Sequence, residues 1–145
     1  MLTIKQILAN TPRDRLFRSQ YVLLSGLQFR AVKFDKDKNI ILPPSYEVRT
    51  QTRLGSPMPQ YERGKIYKTS VVSLDGRIPI NNGHVKVLCS CPDYLFTWEV
   101  ALHKYGAADI IYSNGEYPEI KNPLEIPGVC KHLAAFLIYL RHKGL

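Results

Sequence analysis

The sequence lacks a long apolar segment. Its longest unbroken apolar run, LAAFLIYL at residues 133–140, is far shorter than the roughly 20 residues that a helix needs to cross a membrane. No basic start followed by an apolar stretch opens the chain, so we expect no secretory signal, no membrane contact and a cytoplasmic location. Internal repeats and low-complexity tracts are also absent. The remaining composition, 45% apolar and 22% charged over 145 residues, predicts one globular domain spanning residues 1–145.

The motifs of several enzyme classes are missing as well. The chain contains no phosphate-binding loop, no dinucleotide-binding glycine pattern, no nucleophile elbow and no HExxH helix. The paired H-x-E and P-C-x-x-C motifs of zinc deaminases are also absent. We therefore predict that the protein is not an enzyme and has no small-molecule substrate.

Acidic residues are scarce in the first part of the chain. Residues 1–88 hold fifteen lysines and arginines against six acidic residues, whereas residues 89–145 hold five against six. The excess of basic residues that produces the formal net charge of +8 therefore lies before most of the cysteine-bearing part. This asymmetry favours an acidic partner for the first part, above all nucleic acid. A role in solubility alone explains a charge of this size equally well.

The pattern of apolar residues predicts an α+β fold. A short helix is expected within 3–10, followed by an antiparallel β-meander whose last hairpins turn at Asp75-Gly76 and Asn82-Gly83 around a short strand. A helix is expected over 92–106, with Leu95, Trp98, Leu102 and Tyr105 on one face. A C-terminal helix is expected from about Cys130. We accordingly divide the domain into a basic β-rich part, 1–83, and a cysteine-bearing unit, 84–145.

Residues 49–64 lack periodicity and contain several prolines and glycines, so an exposed arm is expected there. Basic residues lie in it or just after it, against a single acidic residue, Glu62. We predict that they contact the acidic partner: Arg49, Arg53, Arg63, Lys65 and Lys68.

The chain has only three cysteines, and each belongs to a short pair. Cys89 and Cys91 form C-x-C in CSCPDY, and Cys130 forms C-x-H with His132 in GVCKHLAAFL. Alternate residues of a strand point to the same side, so the first pair can present both sulfurs together. A loop residue and a first-turn helix residue can converge in the second pair. Three thiolates and one imidazole are a ligand set of structural zinc sites, so we predict one structural zinc ion bound by these four residues.

Other roles for these residues are less consistent with the pattern. A disulfide between residues two positions apart has poor geometry, and any longer disulfide leaves one thiol over. A catalytic pair of Cys130 and His132 leaves Cys89 and Cys91 without a function. Simple burial is common for a single cysteine but does not account for the pairing. The remaining histidines, His84, His103 and His142, are expected at the surface.

The two motifs together resemble the SWIM-type zinc finger, a ββα unit in which strands lead to C-x-C and C-x-H opens the helix. This resemblance covers residues 84–145. It implies Cys89, Cys91, Cys130 and His132 as zinc ligands, and nucleic-acid or protein binding as the function. Thirty-eight residues separate Cys91 from Cys130, more than the family usually has there. They make room for an inserted helix, so we expect a meander followed by a zinc-stapled ββα-like unit with an inserted helix and a C-terminal helix.

A longer pattern, CPDY…YSNGEYP…KNP…IPGVCKHL, is similar to small proteins of tailed-phage genomes, some of them grouped with virion structural genes. That resemblance implies an alternative function, a structural assembly protein of the head, neck or tail, located in the virion. The prediction from the sequence is a non-enzymatic zinc-binding module that contacts nucleic acid, or else the neighbouring protein subunits of an assembly.

Overall fold

The computed structural model describes residues 1–116 and 118–145. Its main element is an antiparallel sheet, one face of which is covered by the C-terminal helix. In this described part, the main sheet has five strands in the order β1-β7-β6-β5-β2, and β3 and β4 form a separate two-stranded hairpin. The strands are β1 (Leu2–Thr3), β2 (Val22–Arg30), β3 (Lys33–Phe34), β4 (Ile40–Leu42), β5 (Ser45–Thr52), β6 (Ile66–Ser73) and β7 (His84–Cys89). The helices are α1 (Ile4–Ala9), α2 (Arg13–Ser19), α3 (Glu99–Lys104) and α4 (Lys131–Lys143). The predicted α+β class and its antiparallel meander are confirmed.

Alternation of side chains gives the sheet one buried face. In β7, for example, Val85, Val87 and Cys89 are buried while the residues between them are partly exposed. The same period of two runs through β5 and β6, so their buried residues share the face that α4 covers. The strand that leads into the cysteine pair therefore lies inside the sheet, between β1 and β6.

The N-terminal helix forms as predicted and is followed by a second helix that was not predicted. Thr3 caps α1 by accepting the backbone N–H of Gln6, whose side chain in turn accepts the backbone N–H of Thr3. Pro12 ends this first helix but also occupies the N-cap of α2. A proline is tolerated at the start of a helix, so Pro12 can mark the beginning of a new helix as well as the end of the previous one. The sequence analysis considered only the second possibility and therefore missed α2.

The C-terminal helix closes the core as expected. It buries Leu133, Phe136, Leu137 and Leu140, all at 0% exposure, against the sheet. Gly144 ends it in the left-handed conformation, with φ of 69°. The core includes residues from both predicted parts, such as Ile7 and Val85, so the parts 1–83 and 84–145 share one set of buried side chains.

The inserted helix covers nearly the predicted range, 92–106, but it is less regular than predicted. Helical backbone begins at Pro92, passes through a wide π-type turn at Tyr94–Trp98 and continues as α3 to Lys104. The extra residue in the turn rotates the buried face, so Tyr94 is fully buried whereas Tyr105 is 41% exposed. The predicted face is therefore wrong for Tyr105, and it is correct for Trp98 and Leu102, which are buried.

Two expectations for the loops are corrected. Residues 77–80 are not a strand, because Pro79 leads into a short 3-10 turn at Ile80–Asn82 instead. The predicted arm at 49–64 is also too long, since Arg49 to Thr52 belong to β5. The rest of it is a folded loop rather than a free arm: Ser56 and Met58 are buried, and Arg63 Nε donates a hydrogen bond to the Met58 carbonyl at 2.6 Å. None of the helices in the described ranges is long and apolar enough to cross a membrane.

Candidate metal centre

The first cysteine pair lies at the end of the central hairpin. Cys89 is the last residue of β7 and faces Thr69 of β6. The backbone then remains attached to β6 through Ser90, whose N–H donates to the Lys68 carbonyl at 3.1 Å. This attachment holds Cys91 just beyond the strand, where it is 2% exposed, beside the fully buried Cys89.

The second pair lies at the start of α4. Cys130 is the N-cap residue, with extended backbone angles, and its carbonyl accepts the Ala134 N–H at 2.9 Å. His132 follows in the first turn and is 4% exposed. Just upstream, the Val129 N–H donates to the Thr11 hydroxyl at 3.2 Å, which fixes the chain before the helix to the α1–α2 connection.

The structure brings the four predicted ligands together. One ligand atom from each of Cys89, Cys91, Cys130 and His132 lies within 4.8 Å of the other three, and all four residues are buried. Ligands at about 2.3 Å from a tetrahedral ion lie roughly 3.8 Å apart, so only small adjustments separate this cluster from a coordination shell. The four side chains can hold one metal ion.

The imidazole of His132 supports this interpretation. Both of its nitrogens are buried, and neither has a hydrogen-bond partner among the described residues. A buried polar atom without a partner costs on the order of 1–3 kcal/mol, so such atoms are rare unless something else satisfies them. Coordination of a metal ion would satisfy one of the two nitrogens.

The ionisation of the thiols depends on whether a cation is bound. Burial raises the pKa of the Cys89 and Cys130 thiols well above the ordinary value. Hydrogen bonding from Cys130, and next from Cys89, lowers the pKa of the Cys91 thiol. The cluster by itself therefore favours one thiolate stabilised by two thiols. Three thiolates in this buried space require a bound cation.

Two tyrosines that the sequence analysis did not assign to the site surround the ligands. The backbone N–H of Tyr94 points at the Cys91 sulfur, with a nitrogen–sulfur distance of 3.4 Å, and its hydroxyl donates to the Val87 carbonyl at 3.0 Å. Tyr67, near the start of β6, packs its ring against the imidazole of His132. The position of Tyr94 three residues after Cys91 was a usable signal, because an N–H at that spacing can turn back to a sulfur. Nothing in the sequence indicated Tyr67.

The remaining histidines lie outside the cluster. The His84 ring approaches Asp75, with Nδ1 3.3 Å from the carboxylate. The exposed His103 pairs its Nδ1 with the Ala108 carbonyl at 3.0 Å. His142 is exposed near the end of α4. The expectation that these three lie away from the ligand set is confirmed.

The five basic residues predicted to contact a partner are all exposed, but they do not form one arm. Arg49 of β5 and Lys68 of β6 are direct cross-strand neighbours on the outer face of the sheet, opposite α4. Arg53 and Arg63 lie in the folded loop, and Lys65 lines a cleft beside the metal centre. Arg49 and Lys68 therefore form an outer group on the sheet face opposite α4, whereas Lys65 lies at the cleft.

The comparisons with known proteins gave no match: no family model, no curated protein and no solved structure is similar to this chain. The function is therefore inferred from the site itself.

Proposed function

We propose that the protein is a non-enzymatic zinc-binding module whose basic N-terminal part contacts nucleic acid. The zinc-binding part of the proposal rests on the buried cluster of Cys89, Cys91, Cys130 and His132. Thiolates and one imidazole suit zinc better than calcium or magnesium. Four protein ligands would leave no open position for an activated water, which favours a structural ion over a catalytic one.

The position of the cluster explains what the ion would stabilise. It joins the end of the β6–β7 hairpin to the first turn of α4, two elements separated by the long insertion between Cys91 and Cys130. The arrangement agrees with the resemblance to SWIM-type fingers, in which strands lead to C-x-C and C-x-H opens the helix. That resemblance supports the proposal and also favours a binding function.

The nucleic-acid half is supported by the outer group of basic residues. Arg49 and Lys68 face each other directly across two strands, and neither is in an ion pair within the described residues. Like charges in this position are destabilising, so a counter-charge from a partner relieves an unfavourable contact. The guanidinium of Arg49 lies against Gly26, where a Cβ would come within 2.9 Å of Nη2. Its position on the surface is thereby restricted before any partner binds.

The test is simultaneous neutralisation of the five predicted residues by substitution to glutamine: Arg49, Arg53, Arg63, Lys65 and Lys68. We expect affinity for a DNA duplex, measured by fluorescence anisotropy between about 50 mM and about 200 mM salt, to fall. The log–log salt slope should flatten by about 0.9 for each phosphate that the variant no longer neutralises. Zinc content should remain unchanged, because none of these residues is a ligand.

A control with the same change in charge separates a local effect from the total charge. It replaces five exposed basic residues elsewhere with glutamine: Lys5, Lys33, Lys36, Arg77 and Arg141. Equal loss of affinity in both variants would contradict a contact made by the five predicted residues in particular. An unmodified protein that binds no nucleic acid in low salt would contradict the proposal as a whole.

Assembly of a virion is the second candidate, and the free edge of the sheet favours it. β2 ends the main sheet, and no other strand in the described ranges pairs along its outer side. Leu27 and Phe29 on this strand are 40% and 50% exposed, and Phe34 and Ile41 on the adjoining hairpin are 55% and 59% exposed. A long apolar edge of this kind is normally covered in a soluble protein or used for association.

Association can be measured by analytical ultracentrifugation. If the edge joins subunits, the parent should form oligomers and a Leu27→Lys, Phe29→Lys double variant should be a monomer with unchanged zinc content. A parent that is monomeric at high concentration, and that is missing from purified particles where the source is a phage, would contradict the assembly function.

A further inference from the structure

A cleft of about 310 Å³ opens beside the metal centre, and the proposed function does not yet use it. Its floor includes Cys91, Cys130 and His132, and its walls come from α2, the loop before β6, the wide turn after Cys91 and the 118–127 segment. A volume at the lower end of the range for ligand sites suits a group of the size of one nucleotide, and it is too small for a duplex.

Positive charge dominates this cleft. Five basic residues line it against two acidic ones. Both acids already have partners: Asp93 accepts two hydrogen bonds from Arg15, at 2.7 Å and 3.0 Å, and Glu62 lies 2.9 Å from the Lys131 ammonium. A dication held by three thiolates and an imidazole adds one negative charge at the floor. The cleft stays positive even with the metal bound.

The three other basic residues are available to a ligand. Arg18 of α2, Lys65 before β6 and Lys121 of the later loop belong to separate segments, and none forms an ion pair within the described residues. Cations from three segments that face one cleft without counter-charges are typical of a site for a phosphate or another compact anion.

Aromatic rings line the same space. Tyr61 and Phe96 are 70% and 62% exposed, which is unusually high for rings of this size. They gain nothing from the core, and they offer flat apolar faces next to the cations. Exposed aromatic rings beside a positive groove are how proteins hold unpaired bases, since every base can stack whatever its sequence.

We propose that this cleft binds single-stranded nucleic acid, seating one unpaired base against Tyr61 or Phe96 and its phosphate against Arg18, Lys65 and Lys121. This inference rests on the proposed nucleic-acid function and narrows it. A duplex hides its base faces within the stack, so only a single strand, or a free nucleotide, can use both the rings and the cations.

The test measures binding of a fluorescent thymidine oligonucleotide of about 12 residues, in the range of single-strand site sizes, by anisotropy with the zinc-loaded protein. A duplex of the same length and free thymidine monophosphate are the comparison ligands. We expect tighter binding of the single strand than of the duplex, and only weak binding of the mononucleotide. A Tyr61→Leu, Phe96→Leu variant should lose about fivefold or more in single-strand affinity while its duplex affinity stays the same.

A Phe34→Leu variant serves as the control, because this ring is also more than half exposed but lies on the β3–β4 hairpin. A further Arg18→Gln, Lys121→Gln variant should reduce both single-strand affinity and its salt slope. If neither oligonucleotide binds, the proposed function and this inference fail together. Two other results overturn only this inference. In the first, nucleic acid binds but neither the aromatic double variant nor the Arg18→Gln, Lys121→Gln variant changes single-strand affinity. In the second, the mononucleotide binds as tightly as the single strand.

Discussion

The ring of Tyr67 meets the imidazole of His132 edge-on, with the ring centroids 4.9 Å apart and an angle of 63° between the planes. One ring comes from the start of β6 and the other from the first turn of α4. The contact packs the Tyr67 ring against the proposed ligand His132, whose ring nitrogens have no hydrogen-bond partner among the described residues. Burial, followed by the nearby Cys91 and Cys89 sulfurs, raises the pKa of the Tyr67 hydroxyl, so the phenol stays neutral beside the cluster.

Removal of this ring should weaken metal binding without removing a ligand. Supporting residues around a metal site typically contribute about 10- to 100-fold in affinity. We expect Tyr67→Ala to lower zinc affinity by about tenfold, and Tyr67→Phe to preserve it because the contact is made by the ring. Competition with a chromophoric chelator measures both. Tyr105→Ala, at an exposed tyrosine of the inserted helix, is the control, and equal affinities for Tyr67→Ala and this control would contradict the role given to Tyr67.

Zinc removal should unfold the region that the ion connects. The proposed ligands belong to β7, the turn after it and the start of α4, so the free energy of metal binding contributes directly to folding. We expect about one zinc per chain by elemental analysis, and a loss of cooperative thermal unfolding after treatment with a strong chelator or in Cys130→Ser and His132→Ala. His142→Ala, an exposed histidine near the end of α4, should unfold like the parent. A folded, metal-free parent with three reactive thiols would exclude a structural zinc.

The geometry within each of the two pairs was predictable because it depends only on the local backbone, and the residue types suggested that the two pairs would meet. Cys89 and Cys91 are two positions apart at a strand end, and His132 lies two positions after a residue that caps a helix. The period of two in a strand and the convergence at a helix start are properties of the backbone, and they hold whatever packs around them. The amphipathic pattern of α4 likewise determines which residues face the core.

Features that depend on packing between distant segments were not predictable. Tyr67 reaches His132 only because β6 lies next to β7 and α4 crosses their ends, which no local pattern specifies. The wide turn at Tyr94–Trp98 lies between the buried Cys91 and the end of the turn at the buried Trp98, and the helical period of the sequence does not indicate it. Arg49 belongs to β5 whereas Lys65 precedes β6 and lines the cleft, and the irregular composition of residues 49–64 did not indicate where β5 ends.

The carboxylate of Glu99 is predicted to hold the segment after α3 in place. This fully buried side chain accepts backbone N–H groups from Ile111, Tyr112 and Ser113, at 3.2, 3.0 and 2.8 Å. Glu99→Leu leaves these donors without an acceptor, so we expect a loss of about 3 kcal/mol in the free energy of unfolding. Glu99→Gln should lose less, because its amide oxygen can still accept. Urea denaturation gives the stabilities, and limited proteolysis reports on residues 110–116.

The exposed Glu47 of β5 provides the matched control for these variants. Glu47→Gln should change stability by no more than about 0.5 kcal/mol, as is usual for surface substitutions. If Glu99→Leu is as stable and as resistant to protease as Glu47→Gln, the carboxylate does not hold this segment.

Gly128 is predicted to be essential for placing Cys130, for a steric reason. A Cβ at this position would lie 2.8 Å from the Asn10 carbonyl oxygen, 3.0 Å from the Thr11 Cα and 3.1 Å from the Trp98 ring. Two of these neighbours are backbone atoms of the α1–α2 connection, which cannot move aside as a flexible side chain can. We expect Gly128→Ala to destabilise the protein by about 1–3 kcal/mol, the usual cost of overpacking. Because the displaced chain leads directly to Cys130, zinc affinity should fall in the same variant.

Gly55→Ala is the matched control, because a Cβ there meets no atom within 4 Å and its backbone does not require glycine. It should leave both stability and zinc affinity at the parental values. The comparison separates the steric effect from the general effect of replacing glycine, which by itself tends to stabilise a chain by restricting its unfolded state. If Gly128→Ala binds zinc like Gly55→Ala but is less stable, the close packing matters for the core and not for the metal centre. If it matches Gly55→Ala in both measurements, the α1–α2 connection does not position Cys130.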